Sequence, residues 1–336
     1  MEVGGTNRAL VIGAQGVLGA LTVRAFEAAG WAVRSGARRP RPGEVEIDVG
    51  RPDSIAAAVE EDELVVNTVP HLELLAERYI LEHGGALINV SDLPAAAGRS
   101  LRAVAGGARG TVVMNAGLAP GVTTIVAADL LSRHPAAGEL EIVFTLSLTM
   151  SRGPASADFI YRGLTAVARH RTALVPLPRP FGERRCLGFG EGDAGWLGGI
   201  AEGRIVRQYV CITEPAVHER LLEINSAGDM TSLPRSLIGP AKPRVQETAG
   251  EEPVAHWVAA IRAGRRLGAS TVQCRGGARS AAGSTVVFAD ALRTQPRRPG
   301  CFDPEEIWTF AAVEAELRAA GVTVVSHLEG ASGLAR

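Results

Sequence analysis

Residues Arg8–Gly19, with the sequence RALVIGAQGVLG, decide the fold that we predict for this chain. The apolar first half predicts a buried strand, and the apolar residues that follow recur at helical spacing. Gly13, Gly16 and Gly19 lie at the junction, where glycines permit a tight turn, close approach of a pyrophosphate and helix packing. The N-terminus of the helix offers its free N–H groups to the same phosphates. We therefore favour a dinucleotide-binding turn over a plain strand–helix turn packed with small residues.

The composition is that of a globular chain, and it excludes several classes of partner. The 336 residues suffice for two domains, and the net charge of −1 gives no general attraction to nucleic acid or to anionic membranes. The four cysteines lack the spacing of a zinc site or of a disulfide framework. No segment has the apolar core of a signal peptide or the length of a membrane span. We therefore expect a cytoplasmic protein with reduced thiols, no metal, no membrane partner and no nucleic acid partner.

The order of the predicted elements indicates two domains. Strand-like apolar runs alternate with helical segments over residues 1–131, which predicts a doubly wound parallel α/β sheet. From residue 132 the chain reads as a mixed sheet with covering helices, and α/β character returns at residue 286. We predict a Rossmann dinucleotide-binding domain made of residues 1–131 and 286–336, with an inserted α+β domain over residues 132–285. The last predicted strand, Gly321–Val325, is expected to complete the first domain.

The end of the second predicted strand indicates which nicotinamide cofactor the turn would take. NAD-binding folds usually place an acidic residue there for the ribose hydroxyls, whereas this chain continues as Gly36-Ala37-Arg38-Arg39 without an acid. Guanidinium groups suit a 2′-phosphate, so Arg38 and Arg39 predict NADP(H) rather than NAD(H); the alternative is a solvated turn. Asp48 ends the third strand and would either face the adenine or cap the next turn.

Polar residues also follow the next two strands, at the edge of a parallel sheet where ligands bind. The loop Asn67–His71 should pass near the nicotinamide ribose, and Asp92 should either border the hydride-transfer site or cap the following helix. Hydride transfer to a polar double bond also needs a proton donor within hydrogen-bond reach. The candidate donors are His71, Asp92 and Tyr161; the alternative for His71 is a surface histidine at a helix start.

Arginines on the helix of Tyr161 offer a substrate contact. Arg162 and Arg169 are seven residues apart and would share one face of that helix. This face would either clamp a substrate carboxylate through charge-assisted hydrogen bonds or carry two solvated arginines.

Five segments, taken in order, resemble the saccharopine dehydrogenase (saccharopine reductase-like) superfamily: GAQGVLG, NTVP, INVSD, NAGLAPG and PGCFDPEE. Phe181–Asp193, FGERRCLGFGEGD, is similar to a strand and turn in that family's second domain. The resemblance implies a Rossmann domain with an inserted domain that carries substrate binding and dimer contacts, and hence a homodimer. It also implies an NADP(H)-dependent oxidoreductase that acts on a carbon–nitrogen bond of a small amine or amino-acid-like substrate.

The resemblance further implies roles for individual residues, carried over by position. The residues that would line the pyrophosphate are Gly13, Gln15, Gly16, Val17 and Leu18. Those at the 2′-phosphate would be Ser35 and Arg38, and those on the nicotinamide side would be Asn67, Thr68, Val69 and Pro70. The floor where cofactor and substrate meet would be formed by Asn115, Gly117, Pro120 and Gly121.

Two features separate the chain from the lysine-pathway members of that family. Lys242 is the only lysine and is predicted to lie in the inserted domain, so their Lys/His acid–base pair has no counterpart. Asn89 stands where the family often has an Asp. The expected substrate is therefore a specialised amine or amino-acid-like compound of a secondary pathway, in place of saccharopine.

Two other classes of protein remain as alternatives. An atypical short-chain dehydrogenase or epimerase shares the glycine turn but normally needs a Tyr-x-x-x-Lys pair, whereas Thr165 stands at that offset from Tyr161. A non-catalytic NADP(H)-sensing regulator would bind the cofactor without a closed apolar pocket beside the nicotinamide. Oxidation of NADPH with amine–carbonyl pairs would separate an enzyme from such a sensor.

Overall fold

The chain forms two compact units, seen in a computed structural model that describes residues 7–91, 93–148, 154–166, 171–190, 203–228, 230–238, 252–295 and 298–327. The first unit comprises Met1–Gly121 and Ala278–Trp308, and the second comprises Val122–Gly277 and Thr309–Arg336. The chain therefore changes unit three times. Strands and helices are numbered below along the whole chain.

The first unit contains a seven-stranded parallel sheet with the strand order β13-β6-β5-β4-β1-β2-β3. Its strands are β1 (Arg8–Ile12), β2 (Ala32–Ala37), β3 (Val45–Glu46), β4 (Leu64–Asn67), β5 (Ala86–Asn89), β6 (Thr111–Val113) and β13 (Gly300–Phe302). Its helices are α1 (Val17–Ala28), α2 (Pro52–Ala58), α3 (Leu75–His83), α4 (Ala95–Val104), α8 (Gly277–Thr294) and α9 (Pro304–Ile307). The doubly wound parallel sheet that the sequence predicts is confirmed.

The strand order sets where a ligand can bind in this unit. Strands β4 and β5 are buried along their whole length, and β1 is buried beyond its first residue, as expected for a parallel sheet covered on both faces. After β3 the chain returns to the other side of β1 and continues through β4, β5 and β6. The order therefore reverses between β1 and β4, and a crevice opens at such a point beyond the carboxyl ends of the strands.

The second unit contains a mixed seven-stranded sheet with the order β14-β12-β11-β7-β10-β9-β8. Its strands are β7 (Glu139–Leu146), β8 (Thr172–Pro176), β9 (Glu183–Gly188), β10 (Ile205–Ile212), β11 (Pro253–Arg262), β12 (Arg265–Arg275) and β14 (Thr323–His327). Its helices are α5 (Val122–Arg133), α6 (Pro154–Thr165), α7 (Pro215–Ala227) and α10 (Phe310–Ala319). Strands β7 and β10 run parallel, and the other neighbouring pairs run antiparallel.

The structure corrects the predicted destination of the last strand. Strand β14 does not complete the first sheet, because it pairs antiparallel with β12 from Ala269 opposite His327 to Gln273 opposite Thr323. The hydroxyl of Thr271 lies 2.7 Å from Nε2 of His327, which reinforces this pairing. The strand that does complete the first sheet is β13, which pairs parallel with β6.

The unit boundaries also differ from the predicted domain limits, for identifiable reasons. Helix α5 packs against β11 and β12, so residues 122–131 belong with the second sheet. The apolar stretch Val286–Leu292 lies within α8, which begins at Gly277. Among the residues that the structure describes, none of the helices is both long and apolar enough to cross a lipid bilayer.

Candidate functional site

The glycine turn after β1 leaves the start of α1 open to a ligand. Gly13 has a φ of +86°, and the N–H groups of Gly13 and Ala14 donate to the carbonyl of Gly36 at 2.9 and 3.1 Å. Gly16 is the N-cap of α1, with extended backbone, and no described side chain caps the helix. The first N–H groups of a helix have no partners within the helix, so this N-terminus suits an anion.

The loop after β4 packs against the same turn. A Cβ built on Gly13 would lie 2.5 Å from Cγ2 of Val69 and 2.6 Å from Oγ1 of Thr68, so only glycine fits without a shift. The Thr68 hydroxyl donates to the carbonyl of Ile12 at 2.8 Å. The turn after β1 and the loop after β4, both expected to bind the cofactor, are therefore in direct contact.

A cavity of about 340 Å³ opens beside the turn, between β1, the end of β2 and the segment after β3. Ile12, Ile47 and Val49 give it an apolar wall. The residues predicted to bind the cofactor that line it are Gly13, Gln15, Gly16, Arg38, Arg39, Asp48 and Val69. Val17, Leu18 and Gly19 lie in the first turn of α1, and Ser35 lies within β2, opposite Val11.

The two arginines at the cavity are exposed cations. The side chains of Arg38 and Arg39 are exposed, and neither forms an ion pair with a described residue. Gln15 Nε2 donates to the Arg39 carbonyl at 2.9 Å and to Oε2 of Glu44 at 2.7 Å. The loop that follows β2 is therefore tied to the glycine turn by a side chain. Hydrogen bonds from the Arg41 N–H and from Gln15 lower the pKa of Glu44.

Asp48 has the capping role that the sequence left open, and its contact with the adenine stays a prediction. Its Oδ1 accepts a hydrogen bond from the Gly50 N–H at 3.0 Å, and its own N–H donates to the Ser54 hydroxyl at 2.9 Å. Asp48 therefore caps the turn that leads into α2 while it also lines the cavity.

The structure places His71 toward β3. A Cβ built on Gly50 would lie 3.5 Å from Nε2 of His71, and Gly50 follows β3. Nδ1 of His71 is buried and has no partner among the described residues. His71 also acts electrostatically on Glu77 and helps to lower the pKa of that carboxyl group, which burial raises. Its role as a proton donor stays a prediction.

A buried carboxylate that the sequence analysis missed joins the ends of β4 and β5. Oε1 of Glu77, on α3, accepts hydrogen bonds from Nδ2 of Asn67 at 2.8 Å and from Nδ2 of Asn89 at 2.6 Å. Burial raises the pKa of Glu77, and the two amide hydrogen bonds oppose that effect. Helical spacing was the available signal, because Glu77 lies three and four residues before the buried Ile80 and Leu81.

A second buried carboxylate meets the end of β6. Asn115, with a φ of +56°, donates from Nδ2 to Oδ1 of Asp303 at 2.8 Å. Arg102 forms ion pairs with Asp303 at 2.6 Å and with Glu306 at 2.7 Å. Burial raises the pKa of Asp303 to about 6, although Arg102 and Asn115 act in the opposite direction. Asp303 is also the N-cap of α9, where it forms a capping box with Glu306.

The loop after β6 folds tightly on itself. Gly117 and Gly121 form a β-bridge, and a Cβ on Gly121, whose φ is +126°, would overlap the backbone of Gly117. The Ala116 N–H donates to the Asn89 carbonyl at 3.0 Å. Pro120, which was predicted to contact substrate, lies within this loop.

The remaining predicted contacts lie in the second unit or outside the described residues. Tyr161 is on α6, with the guanidinium of Arg235 4.6 Å from its ring centroid. Arg162 forms an ion pair with Asp158 at 2.9 Å, so a substrate carboxylate would have to compete with that partner. Asp92 and Arg169 lie outside the described residues.

Similarity to solved structures agrees with this geometry. Saccharopine dehydrogenase (L-Glu forming) from Saccharomyces cerevisiae superposes with a TM-score of 0.59 and 13% identity, over 96% of this chain and 100% of that chain. The fold of this chain is similar to that of saccharopine dehydrogenase. The WlbA dehydrogenase from Thermus thermophilus, solved with NAD and UDP-GlcNAcA, aligns over 94% of both chains at 12% identity. Its TM-score of 0.42 is too low to indicate a shared fold.

Comparison of the sequence alone gives no match. None of the known family profiles matches the chain, and neither does any curated protein sequence. The resemblance to saccharopine dehydrogenase is thus confirmed for the fold alone.

Proposed function

We propose that the chain is an NADP(H)-dependent oxidoreductase of the saccharopine dehydrogenase type. It would reduce an imine or carbonyl group of a small amine or amino-acid-like substrate, with the chain acting as a homodimer. The carbon–nitrogen chemistry is suggested by the family resemblance of the sequence. The cofactor assignment is suggested by the charge and shape of the cavity beside the glycine turn.

The observation that carries the proposal is the pairing of an uncapped helix start with two exposed guanidinium groups. The N-terminus of α1 suits the pyrophosphate, and Arg38 and Arg39 line the cavity without an ion-pair partner among the described residues. A 2′-phosphate would supply the charge that these arginines lack, through forked hydrogen bonds. The cofactor, when bound, supplies the hydride, and the protein would orient it and exclude water.

Strand ends would hold the other half of the dinucleotide. Asn67, Thr68 and Val69 follow β4 beside the turn, and Asn115 follows β6. The proposal assigns these residues to the nicotinamide side, and the loop Gly117–Gly121 to the floor that meets the substrate. Asp303 and Glu77 are both engaged by buried amide groups, so the proposal assigns neither of them as the proton donor.

The test is calorimetric binding of NADPH and NADH to the intact chain and to Arg38→Ala. We expect the substitution to raise the Kd for NADPH by about 10- to 100-fold, the effect of losing one or two charge-assisted hydrogen bonds. The Kd for NADH should stay within about twofold, because NADH has no 2′-phosphate to lose. Equal losses for both cofactors would contradict the NADP(H) assignment.

Arg41→Ala is the matched control for this experiment. Arg41 lies in the same loop and is exposed, but it does not line the cavity. Its removal lowers the local positive charge by the same amount, so any weakening that it shares with Arg38→Ala reports general electrostatics.

Activity separates the proposal from a non-catalytic sensor. The cofactor-loaded protein should oxidise NADPH when it is supplied with a suitable pair from a panel of amines and carbonyl compounds. Tight NADPH binding with no turnover across the panel would favour the regulator.

A further inference from the structure

Burial of the Glu77 carboxylate is expected to lower the stability of the folded chain. It is 1% exposed on a helix face that also buries Ile80 and Leu81, and it forms no ion pair with a described residue. Removing a carboxylate from water without a cation costs stability unless hydrogen bonds replace the solvent. A leucine would fill the same space without that cost, so the contribution of the carboxylate must lie in what it holds.

Glu77 anchors the same arrangement, an asparagine followed by a hydrogen-bonded turn, at the ends of two neighbouring strands. Its Oε1 accepts both amide groups, one from the last residue of β4 and one from the last residue of β5. The other end of each amide accepts an N–H two residues further along: Asn67 Oδ1 from Val69 at 2.9 Å, and Asn89 Oδ1 from Ser91 at 2.8 Å. The Ser91 hydroxyl also donates to Asn89 Oδ1, at 2.7 Å. One buried oxygen therefore sets the first turn of both loops.

These two loops follow β4 and β5, on the other side of the reversal point from β2 and β3; of their residues, Val69 also lines the cavity with Arg38 and Arg39. In a doubly wound sheet each half binds one mononucleotide, on either side of the point where the strand order reverses. Strands β1, β2 and β3 carry Arg38, Arg39 and Asp48 on one side, and β4, β5 and β6 lie on the other. The loops that Glu77 organises thus belong to the half opposite the adenosine.

We infer that Glu77 is a positioning residue for the nicotinamide half of the cofactor, acting through Asn67 and Asn89. This inference rests on the function proposed above. Glu77 itself touches no ligand, and its carboxylate fixes the two asparagines so that the loops after β4 and β5 are preformed when the cofactor enters. Preformed loops increase affinity because they need not be ordered on binding.

The test compares the binding of the whole cofactor with the binding of its adenosine half, which Glu77 is not expected to affect. Binding of NADPH and of adenosine 2′,5′-bisphosphate is measured on the intact chain, on Glu77→Leu and on Glu77→Gln. Leucine removes the acceptor, whereas glutamine keeps one oxygen that both asparagines can reach and replaces the other oxygen, with its charge, by an NH2 group. The bisphosphate lacks the nicotinamide half, so its affinity also reports whether the variant has folded around the glycine turn.

We expect Glu77→Leu to raise the Kd for NADPH at least about tenfold, as expected when buried hydrogen bonds are lost. The Kd for adenosine 2′,5′-bisphosphate should stay within about twofold, because the residues that line its cavity, apart from Val69, lie on or directly after β1, β2 and β3. Glu77→Gln should restore NADPH binding to within about threefold of the intact chain, since the acceptor geometry survives. This split between the two ligands is a result that a general loss of stability cannot produce.

Three results would overturn the inference. In the first, Glu77→Leu weakens the binding of both ligands equally while the chain stays folded. In the second, Glu77→Leu weakens the binding of neither ligand. In the third, Glu77→Gln binds NADPH as poorly as the leucine variant does. If Glu77→Leu does not fold, Asn89→Ala decides with the same pair of ligands, because it removes one anchored loop and leaves Glu77 bonded to Asn67. Failure of the intact chain to bind either ligand would instead refute the proposed function, so the two failures are distinguishable.

Discussion

The carbonyl oxygen of Gly13 occupies the space in which a side chain on Gly19 would begin. The two residues belong to the turn and to the first turn of α1, and the nearest obstacles to a Cβ are backbone atoms of Gly13 and Ala14. Backbone cannot rotate away as a flexible side chain can. The contact sets how closely α1 approaches β1, and hence where the helix N-terminus points.

Replacement of Gly19 with alanine should therefore destabilise the first unit. We expect a loss of about 1–3 kcal/mol in the free energy of unfolding, the usual cost of forcing an extra group into a packed site. Urea denaturation followed by circular dichroism measures it. Gly98→Ala is the control, because a Cβ on that α4 residue meets nothing within 4 Å and alanine favours helix by about 1 kcal/mol. Equal stabilities for the two variants would refute the steric account.

Loss of the Gln15–Glu44 contact should weaken the cofactor site indirectly. Glu44→Ala removes the carboxylate that Gln15 binds at 2.7 Å, so the loop with Arg38 and Arg39 would have to be ordered by the ligand. We expect the Kd for NADPH to rise about 3- to 10-fold, equivalent to one hydrogen bond. Glu46→Ala removes the same charge from exposed β3 and should have no such effect. Tighter NADPH binding by Glu44→Ala would mean that charge repulsion dominates.

Because the pKa of Asp303 is raised, its contribution to the free energy of unfolding should fall as the pH rises. The pKa is about 6 in the folded chain, against an ordinary value of 3.8. Between these two values the folded state holds a proton that the unfolded state has released, so raising the pH favours unfolding. Asp303→Asn lacks this group. From pH 4 to pH 7 the wild type should lose on the order of 2 kcal/mol relative to the variant. Thermal unfolding at several pH values measures the difference, and a flat difference would count against it.

His256 predicts the opposite slope. Burial lowers its pKa from 6.5 to about 4, and its Nδ1 accepts a hydrogen bond from the Thr145 N–H at 3.2 Å, which requires the neutral ring. Below pH 6.5 the unfolded state binds a proton that the folded state refuses, so stability is complete above pH 6.5 and is lost as the pH falls toward 4. The loss should be about 3 kcal/mol.

His256→Asn is the variant that isolates this effect. It keeps an acceptor near Thr145 but does not titrate, so its unfolding free energy should fall less than that of the wild type between pH 6.5 and pH 4. His218 also has a lowered pKa from burial, and it cancels because both proteins contain it. Parallel pH profiles for the two proteins would contradict the assignment.

Local sequence signals predicted the first sheet well. Strands β1, β4, β5 and β6 are short apolar runs closed by glycine or asparagine, and they were expected within a few residues of their observed positions, whereas β13 was not expected. Arg38 and Arg39 were likewise visible because they follow a strand directly. These features depend on periodicity and on residues adjacent in sequence.

Features that depend on distant partners were not predictable in the same way. The destination of β14 is set by pairing with β12, about fifty residues earlier in the chain, and an apolar strand alone does not say which sheet it joins. Glu77 looks like any charged helix residue until Asn67 and Asn89 are brought to it. The hairpin β11–β12 was missed in part because its turn uses Ala263 and Gly264, both with positive φ, instead of the common Asn-Gly pair.

The interrupted path of the chain limits how its first unit could be transplanted. A cassette that ended at Gly121 would lack β13, so the hydrogen-bonding edge of β6 that receives Gly300–Phe302 would be open to pairing with other chains. Asn115 would also lose the carboxylate that anchors it. A portable version would need residues 278–308 spliced directly after residue 121, in the manner of a permuted gene, before it could behave as a self-contained module.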